Sequence, residues 1–235
     1  MAVPIVVFDL DGTLVDTAPD LVATLNVVLA RIGLPSVPYA QARNMVGGGA
    51  RKMIERGLTA EGRSATEPEL DRLVRGFIEH YEAHIADSSR PFAGLEATLA
   101  RLAQDGCHLA VCTNKLEWLA RKLLHALGLS QPFKVICGAD TFSVQKPDPL
   151  FLTWTIRQAG ARTDRAVMVG DSISDIAMAK TAGIPVIAVD YGYSETPVAD
   201  LGADLVISAL ADLPTAVNEL LASHVPAAPR PKARG

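Results

Sequence analysis

The sequence has little of what several large classes of protein require. The three cysteines, Cys107, Cys112 and Cys137, form no CxxC pair and have no clustered histidines beside them. This spacing argues against a disulfide framework and against a zinc site, and we expect buried, reduced thiols. Lys and Arg (22) do not outnumber Asp and Glu (26), so the net charge of -4 offers no positive field for a nucleic-acid backbone. No nucleic-acid partner is therefore expected.

Long apolar runs are also missing. The first run, at residues 5–8, ends at Asp9 and follows no basic segment, so it is too short for a signal peptide or a membrane span. We therefore expect a cytoplasmic protein that does not bind a membrane. Residues 225–235 are rich in Pro and Ala and lack apolar periodicity, which predicts a flexible tail.

The rest of the chain alternates short apolar runs, each ending at polar residues, with helical patterns that end at glycine. Such runs are typical of buried parallel strands, and the alternation predicts an α/β fold with a doubly wound, Rossmann-like parallel sheet. The predicted strands lie at residues 5–8, 109–112, 135–137, 167–169 and 185–189, with an edge strand at 205–207. The predicted helices lie at residues 95–105, 116–127, 173–182 and 211–221.

One segment, residues 17–87, breaks this alternation because it shows helical spacing and no convincing strand. We predict that it is an α-helical domain inserted after the first strand, and we call it the helical insert. The catalytic core would then comprise residues 1–16 and 88–224. The stretches at residues 14–16 and 88–91, which join the two parts, are turn-forming and are the predicted hinges.

Two carboxylates stand at positions i and i+2 directly after the first predicted strand, in the string DLDGT at residues 9–13. Alternate side chains leave a strand on the same side, so Asp9 and Asp11 can both face one phosphate. One carboxylate can attack phosphorus in line while the other protonates the leaving oxygen and later deprotonates the attacking water. Capping of the following turn is the alternative role for both residues.

A second acidic pair, Asp171 and Asp175, follows the apolar run at residues 167–169 and opens a helix. Capping of that helix is one interpretation of either residue alone. Ligands of open α/β sheets bind outside the carboxyl ends of the strands, where Asp9 also stands. These carboxylates together offer the hard oxygen ligands that suit Mg²⁺, so the sequence predicts a magnesium site there.

A phosphate bound among carboxylates needs positive charge and hydrogen-bond donors. Thr113 and Asn114 stand at the end of a predicted strand and supply a hydroxyl and an amide, and Lys146 supplies a point charge. By itself Lys146 would be interpreted as a surface lysine. It precedes a Pro-rich helix start, however, and is therefore part of an ordered turn. We predict that all three residues bind phosphate.

Four motifs of this sequence, taken in order, resemble those of the haloacid dehalogenase superfamily. They are DLDGTL at residues 9–14, TN at 113–114, KPDP at 146–149 and GDSISD at 170–175. The resemblance spans most of the chain. The helical insert is similar to the helical cap of that superfamily's first cap class.

The resemblance implies a role for each motif residue. Asp9 would be the nucleophile and Asp11 the general acid and base, with Thr113 and Lys146 as phosphate ligands. Magnesium would be held by the carboxylates of Asp9 and Asp171 and the main-chain carbonyl of Asp11, with Asp175 nearby.

A glycine-rich stretch in the helical insert, MVGGGAR at residues 45–51, resembles the corresponding stretch of bacterial phosphoglycolate phosphatases. Main-chain N–H groups at a helix start, with Arg51 close by, can face a substrate carboxylate. A flexible turn between helices is an equally good interpretation. Gly48, Gly49 and Arg51 are therefore candidate substrate contacts.

The expected function is that of a magnesium-dependent phosphomonoesterase, which forms an aspartyl phosphate and acts on a small phosphate ester, with 2-phosphoglycolate as the first candidate. A phosphosugar mutase or a pyrophosphatase of the superfamily would use the same core. A haloacid dehalogenase would not need Asp11 or Asp171, because it protonates no leaving alcohol and binds no metal. A non-catalytic receiver domain also carries strand-end acidic residues and a lysine, but it needs no insert of this size. We expect a monomer or a homodimer.

Overall fold

The computed structural model describes residues 3–223, so the predicted tail at residues 225–235 lies outside the described residues. The strands are β1 (Ile5–Phe8), β2 (Val15–Asp16), β3 (Arg90–Pro91), β4 (His108–Cys112), β5 (Val135–Cys137), β6 (Ala166–Gly170), β7 (Val186–Val189) and β8 (Leu205–Ile207). The helices are α1 (Ala18–Ala30), α2 (Tyr39–Ala42), α3 (Gly49–Ala60), α4 (Glu67–Ala83), α5 (Leu95–Gln104), α6 (Glu117–Ala126), α7 (Pro149–Gln158), α8 (Ile173–Thr181) and α9 (Leu213–Ser223).

Six strands form one parallel sheet in the order β5-β4-β1-β6-β7-β8. The chain passes from β1 to β4 and β5 on one side, and then returns to β6, β7 and β8 on the other side. The strand order therefore reverses at β1, and the carboxyl ends of β1, β4 and β6 enclose the crevice where such sheets bind ligands. The predicted doubly wound α/β fold is confirmed.

Both faces of the sheet are covered by helices, as the alternate residues of β1 show. Val6 and Phe8 belong to a core that includes α5, α6, α9 and the helices of the helical insert. Ile5 and Val7 face the opposite side and pack with α7 and α8. Burial on both faces leaves no polar position within this strand. The first polar residue, Asp9, accordingly comes where the chain leaves the sheet.

The helices α1 to α4 lie between β2 and β3, within the segment predicted as the helical insert, and no described residue from 17 to 87 is in a strand. Helix α1 packs against α3 and α4. The buried residues of α4 are Leu70, Leu73, Phe77 and Tyr81, which repeat at the three- and four-residue spacing of one helix face. The bounds of the insert as a separate domain stay a prediction.

The two joining stretches, which the sequence indicates as turn-forming, contain short strands instead, and their role as hinges stays a prediction. Their strands β2 and β3 pair antiparallel, Val15 with Pro91 and Asp16 with Arg90. In the first turn of α1, Asp20 Oδ2 accepts hydrogen bonds from Ser89 N at 2.8 Å and Ser89 Oγ at 2.6 Å. The backbone that enters the helical insert lies beside the backbone that leaves it, so their N–H and C=O groups can pair with each other. A pairing of two residues is too short to leave a pattern in the sequence.

Two expectations drawn from what the sequence lacks can be compared with the structure. The three cysteines are buried and free, as predicted. Among residues 3–223, no helix combines the length and the apolar composition needed to cross a membrane. The cytoplasmic location and the oligomeric state stay predictions.

Candidate active site

The residues predicted to carry the chemistry meet in the crevice at the carboxyl ends of β1, β4 and β6. Asp9 follows β1, Thr113 follows β4, and Asp171 follows β6. Lys146 reaches the same place from the loop before α7. All four residues are buried, with at most 4% of their surface exposed. The topology thus brings together four groups that are far apart in the sequence.

Lys146 bridges two of the carboxylates. Its Nζ atom lies 2.7 Å from Asp9 Oδ1 and 2.6 Å from Asp175 Oδ1. Burial opposes the ammonium charge, but the carboxylates of Asp175 and Asp9 outweigh it and hold the pKa of Lys146 above its ordinary value. Asn114 Oδ1 accepts a hydrogen bond from Lys146 N at 3.1 Å and so fixes the backbone that carries the lysine. The surface-lysine interpretation of Lys146 is wrong.

Asp9, Asp171 and Asp175 form a buried acidic cluster, in which the possible ligand oxygens lie within 4.8 Å of one another. Burial raises the pKa of Asp9 to about 7, although the charge of Lys146 acts in the opposite direction. Burial and then the charge of Asp9 raise the pKa of Asp171 to about 8. Lys146 supplies one positive charge against three carboxylates. Such a donor set fits a divalent cation that prefers oxygen ligands.

Two neighbouring loops pass close to Asp171, and each donates one hydrogen bond to its carboxylate. Asp171 Oδ1 accepts a hydrogen bond from Thr13 Oγ1 at 3.1 Å, and Oδ2 accepts one from Tyr193 N at 2.7 Å. Gly12 has a φ of +83°, and a Cβ atom there would collide with the Asp171 carboxylate. A Cβ atom at Gly192 would collide with the same side chain. Both positions therefore require glycine.

The two acidic residues at the start of α8 differ in whether they cap the helix. The N-cap is Ser172, so the capping interpretation of Asp171 is wrong. Asp175 does take part in a capping box, because its Oδ2 accepts hydrogen bonds from Ser172 N at 3.2 Å and Ser172 Oγ at 2.5 Å. Its other oxygen, Oδ1, is the one that contacts Lys146. Asp175 thus links the helix start to the acidic cluster.

Asp11 lies two residues after Asp9 and has a different set of partners. Its Oδ1 accepts a hydrogen bond from Thr17 Oγ1 at 2.7 Å, and Lys115 Nζ lies 2.8 Å and 2.9 Å from its two carboxylate oxygens. Burial opposes the charge of Lys115, but Asp11 and Tyr81 outweigh it and raise the pKa of the lysine. We did not predict Lys115 from the sequence, where its position directly after Asn114 is the one available signal.

A cavity of about 310 Å³ lies between the helical insert and the crevice. Asp11, Asn114 and Lys115 give it a polar wall. Most of the remaining wall is apolar, with Leu21, Met53, Val74, Phe77 and Leu119 among its residues.

The predicted substrate contacts of the helical insert also line this cavity. Gly48 and Gly49 do so next to the start of α3. Arg51 lines it as well, but its guanidinium forms ion pairs with Asp71 and, at 3.0 Å, with Glu67, both on α4. Its side chain is 42% exposed. The charge of Arg51 is thus already matched by two carboxylates, and a contact with substrate stays a prediction.

Tyr193 is a second residue that we did not predict. Its hydroxyl accepts hydrogen bonds from Thr17 N at 2.7 Å and Ala18 N at 3.0 Å, and it donates one to Asp16 Oδ1 at 2.6 Å. Its main-chain N–H holds Asp171. The loop after β7 therefore connects the start of the helical insert with the acidic cluster. A tyrosine in a loop carries no sequence pattern that points to this connection.

The sequence and the fold are similar to those of known proteins. The sequence matches the family described as "Haloacid dehalogenase-like hydrolase" over residues 6–189. A protein of Mesorhizobium japonicum named phosphoglycolate phosphatase is 50% identical over 208 residues, which cover 88% of this chain and 92% of that protein. A Caulobacter vibrioides protein of the same name is 47% identical over 218 residues, which cover 93% of this chain and 92% of that protein.

A solved structure is similar over nearly the whole chain. The crystal structure of a predicted phosphoglycolate phosphatase from Haemophilus somnus superposes with a TM-score of 0.85 at 29% identity, covering 91% of this chain and 97% of the other. The four motifs, the sheet order and the match over residues 6–189 lead to one conclusion. The chain belongs to the haloacid dehalogenase-like hydrolase family.

Proposed function

We propose that this member of the haloacid dehalogenase-like family is a magnesium-dependent phosphatase, which hydrolyses a small phosphate ester through an aspartyl phosphate on Asp9. The proposal is supported by the buried contacts of Lys146 with Asp9 and Asp175. These residues lie next to Asp171 in the crevice where the strand order reverses. The relatives named phosphoglycolate phosphatase support 2-phosphoglycolate as the first candidate substrate.

Asp9 is the proposed nucleophile. Leu10 N and Lys146 Nζ each lie 2.7 Å from Asp9 Oδ1, so the carboxylate is held through one oxygen. The other oxygen, Oδ2, attacks phosphorus in line, and the bond from phosphorus to the alcohol oxygen breaks as the new bond forms. The charge of Lys146 keeps Asp9 in place and offsets the negative charge that gathers on the phosphoryl oxygens.

Asp11 is the proposed general acid and base. In the first step its carboxyl proton passes to the leaving alcohol oxygen. In the second step its carboxylate takes a proton from a water molecule, whose oxygen attacks phosphorus and breaks the bond to Asp9. Inorganic phosphate leaves, and the Asp9 carboxylate is restored.

Thr113 and Asn114 are the proposed neutral phosphate ligands. Thr113 Oγ1 accepts a hydrogen bond from Lys115 N at 3.2 Å, which leaves its own hydroxyl hydrogen for a phosphoryl oxygen. Asn114 accepts a hydrogen bond from Lys146 N through Oδ1 and donates one from Nδ2 to Gly47 O at 3.5 Å, so its second N–H remains as a donor. The contact with Gly47 places Asn114 between the core and the helical insert.

The proposed magnesium ligands are the carboxylates of Asp9 and Asp171 and the main-chain carbonyl of Asp11, with Asp175 in support. The fit rests on three buried carboxylates within 4.8 Å of one another. When bound, the ion reduces the repulsion between the phosphoryl oxygens and these carboxylates. Thr13 and Tyr193, which both donate hydrogen bonds to Asp171, orient that ligand.

The helical insert is the proposed cap over the crevice, with residues 1–16 and 88–224 as the catalytic core. Its helices α3 and α4 supply residues that line the cavity, which Asp11 also lines. A cap that excludes water strengthens the electrostatic interactions at the reacting atoms. Gly48, Gly49 and Arg51 line the cavity from this cap and are its candidate substrate contacts.

The test is phosphate release from 2-phosphoglycolate, a hexose phosphate, pyrophosphate and p-nitrophenyl phosphate, with magnesium and after chelation. We expect phosphate from 2-phosphoglycolate with magnesium, and only background release after chelation or in Asp9→Asn. Asp164→Asn is the matched control. Asp164 pairs with Arg162 just before the amino end of β6, and the proposed site lies at the carboxyl end of that strand. Isomerisation of the hexose phosphate without phosphate release would indicate a mutase, and a preference for pyrophosphate would indicate a pyrophosphatase.

A further inference from the structure

Lys115 is a buried cation in the wall of the cavity, and none of the four motif roles uses it. Its side chain is 5% exposed, and its Nζ atom contacts both carboxylate oxygens of Asp11. This contact holds Asp11 where it stands. During the reaction, however, the proposed acid Asp11 must face the leaving oxygen of the substrate. The buried charge of Lys115 then needs another anion in place of Asp11.

Tyr81 lies beside Lys115 on helix α4 of the helical insert. Lys115 Nζ is 4.7 Å from the centre of its ring. The residue is 1% exposed and lines the cavity, and its hydroxyl has no acceptor for its proton among residues 3–223. A buried hydroxyl that lacks an acceptor is unfavourable, so a ligand that accepts its hydrogen bond stabilises this arrangement.

The distance between these groups matches one class of phosphate ester. A general acid lies within about 2.6 to 3.2 Å of the oxygen that it protonates. Lys115 Nζ is 2.8 Å from Asp11. An anion carried on the carbon next to the ester oxygen therefore falls within reach of Lys115 when that oxygen faces Asp11.

We propose that Lys115 and the Tyr81 hydroxyl bind a carboxylate of the substrate, and that this carboxylate replaces Asp11 as the partner of Lys115. The inference rests on the proposed function with 2-phosphoglycolate as the substrate, and it adds the two residues that recognise the carboxylate on the carbon next to the ester oxygen. Binding of such an ester releases the Asp11 carboxylate from Lys115. Asp11 can then take up a proton from water and turn to the leaving oxygen. An ester without the carboxylate leaves Asp11 in its ion pair.

In this proposal Lys115, and not Arg51, binds the carboxylate of the substrate. Arg51 already pairs with Glu67 and Asp71 at a partly exposed position. Lys115 is buried, and so the carboxylate of a substrate would meet it with little water in between. Charge pairs of this kind are stronger than those at exposed positions.

The experiment compares kcat and KM for 2-phosphoglycolate and for ethyl phosphate, which is similar in size but has no carboxylate. In the wild type we expect a higher kcat as well as a higher kcat/KM for 2-phosphoglycolate. Lys115→Met should lower the ratio of the two kcat/KM values by about 100-fold, the loss typical of a buried charge pair. Lys115→Arg should retain part of the ratio, and Tyr81→Phe should lower it by about tenfold.

Lys122→Met is the matched control. Lys122 lies on α6 and pairs at 2.7 Å with Glu82 on α4, so it joins the same two regions of the fold at an exposed position. This variant should keep the ratio of the wild type. Should Lys115→Met not fold, Lys115→Arg and Tyr81→Phe still decide the question, since the second removes only a hydroxyl that has no acceptor among the described residues.

Three results would overturn the inference while the phosphatase function stands. They are a wild type that releases phosphate from both esters without preference, a ratio unchanged in Lys115→Met and Tyr81→Phe, and a ratio lost in Arg51→Ala alone. Failure of the proposed function is different, because then the wild type releases no phosphate from either ester.

Discussion

Removal of magnesium should destabilise the protein, and it should do so more strongly as the pH rises. In the folded, metal-free protein the pKa of Asp9 is about 7 and that of Asp171 about 8, against an ordinary value of 3.8. Between pH 4 and 7 the folded state therefore keeps protons that the unfolded chain has lost. The free energy of unfolding then falls with rising pH, by about 1.4 kcal/mol per pH unit for each retained proton. Above pH 8 both carboxyls are ionised in the folded state too, and this loss of stability stays constant.

Magnesium should reverse this trend because it binds the ionised carboxylates. Its apparent affinity should rise about tenfold per pH unit for each proton that it displaces, up to about pH 8. At a concentration of about 100 times Kd, a ligand stabilises the folded state by about 2.7 kcal/mol. For a chain of this length, Tm changes by about 2 to 4 °C per kcal/mol, so the rise in Tm should be about 5 to 11 °C.

The assay is thermal unfolding in a pH series, with excess magnesium or with a chelator. Asp171→Asn keeps an oxygen for the Tyr193 N–H group but removes one ligand charge from the cluster. Without metal this variant should therefore be more stable than the wild type near pH 8, and magnesium should hardly change its Tm. A metal-free wild type whose stability increases between pH 5 and 7 would refute the reasoning, as would an equal magnesium effect in Asp171→Asn.

Further predictions concern the groups around the cluster. Lys146→Met removes the cation that bridges two buried carboxylates, so urea unfolding without metal should show a loss of about 3 to 5 kcal/mol, and turnover should disappear. Gly192→Ala should weaken magnesium binding in a calorimetric titration, because the new methyl group displaces Asp171. Tyr193→Phe should lower stability by about 1 to 3 kcal/mol, because two main-chain N–H groups lose their acceptor. Its magnesium affinity should stay near that of the wild type, since the main-chain contact with Asp171 remains; a large loss would contradict this division of roles.

The parts of the fold that could be predicted are those set by local pattern and by general rules of topology. The strand β1 is apolar throughout because it is buried on both faces, and this marks Asp9 as the residue at its end. Parallel strands place their carboxyl ends at one edge, which is why Asp9, Thr113 and Asp171 could be assigned to a single site. The ends of α5, α6 and α8 follow from Gly106, Gly128 and Gly183, which all have positive φ.

Contacts that depend on how distant elements pack could not be predicted. Lys115 and Asp11 are 104 positions apart, and their ion pair requires both the sheet order and the approach of Tyr81 on α4. The position of Arg51 beside the glycine-rich stretch predicts a contact with substrate, and this stays a prediction. Its ion pairs with Glu67 and Asp71 depend on the packing of α3 against α4, which a pattern along the chain does not show.

The central claim is the covalent intermediate on Asp9, and rapid acid quenching followed by peptide mass analysis tests it most directly. The wild type would be mixed with 2-phosphoglycolate and magnesium, quenched during turnover and digested, with Asp11→Asn as a variant that hydrolyses the intermediate slowly. We predict the mass of one phosphoryl group on the peptide that contains Asp9, formed and lost fast enough to account for turnover, and no such mass in Asp9→Asn. Phosphate release with no phosphoryl group on Asp9 at any time, or with the group on another residue, would contradict the account.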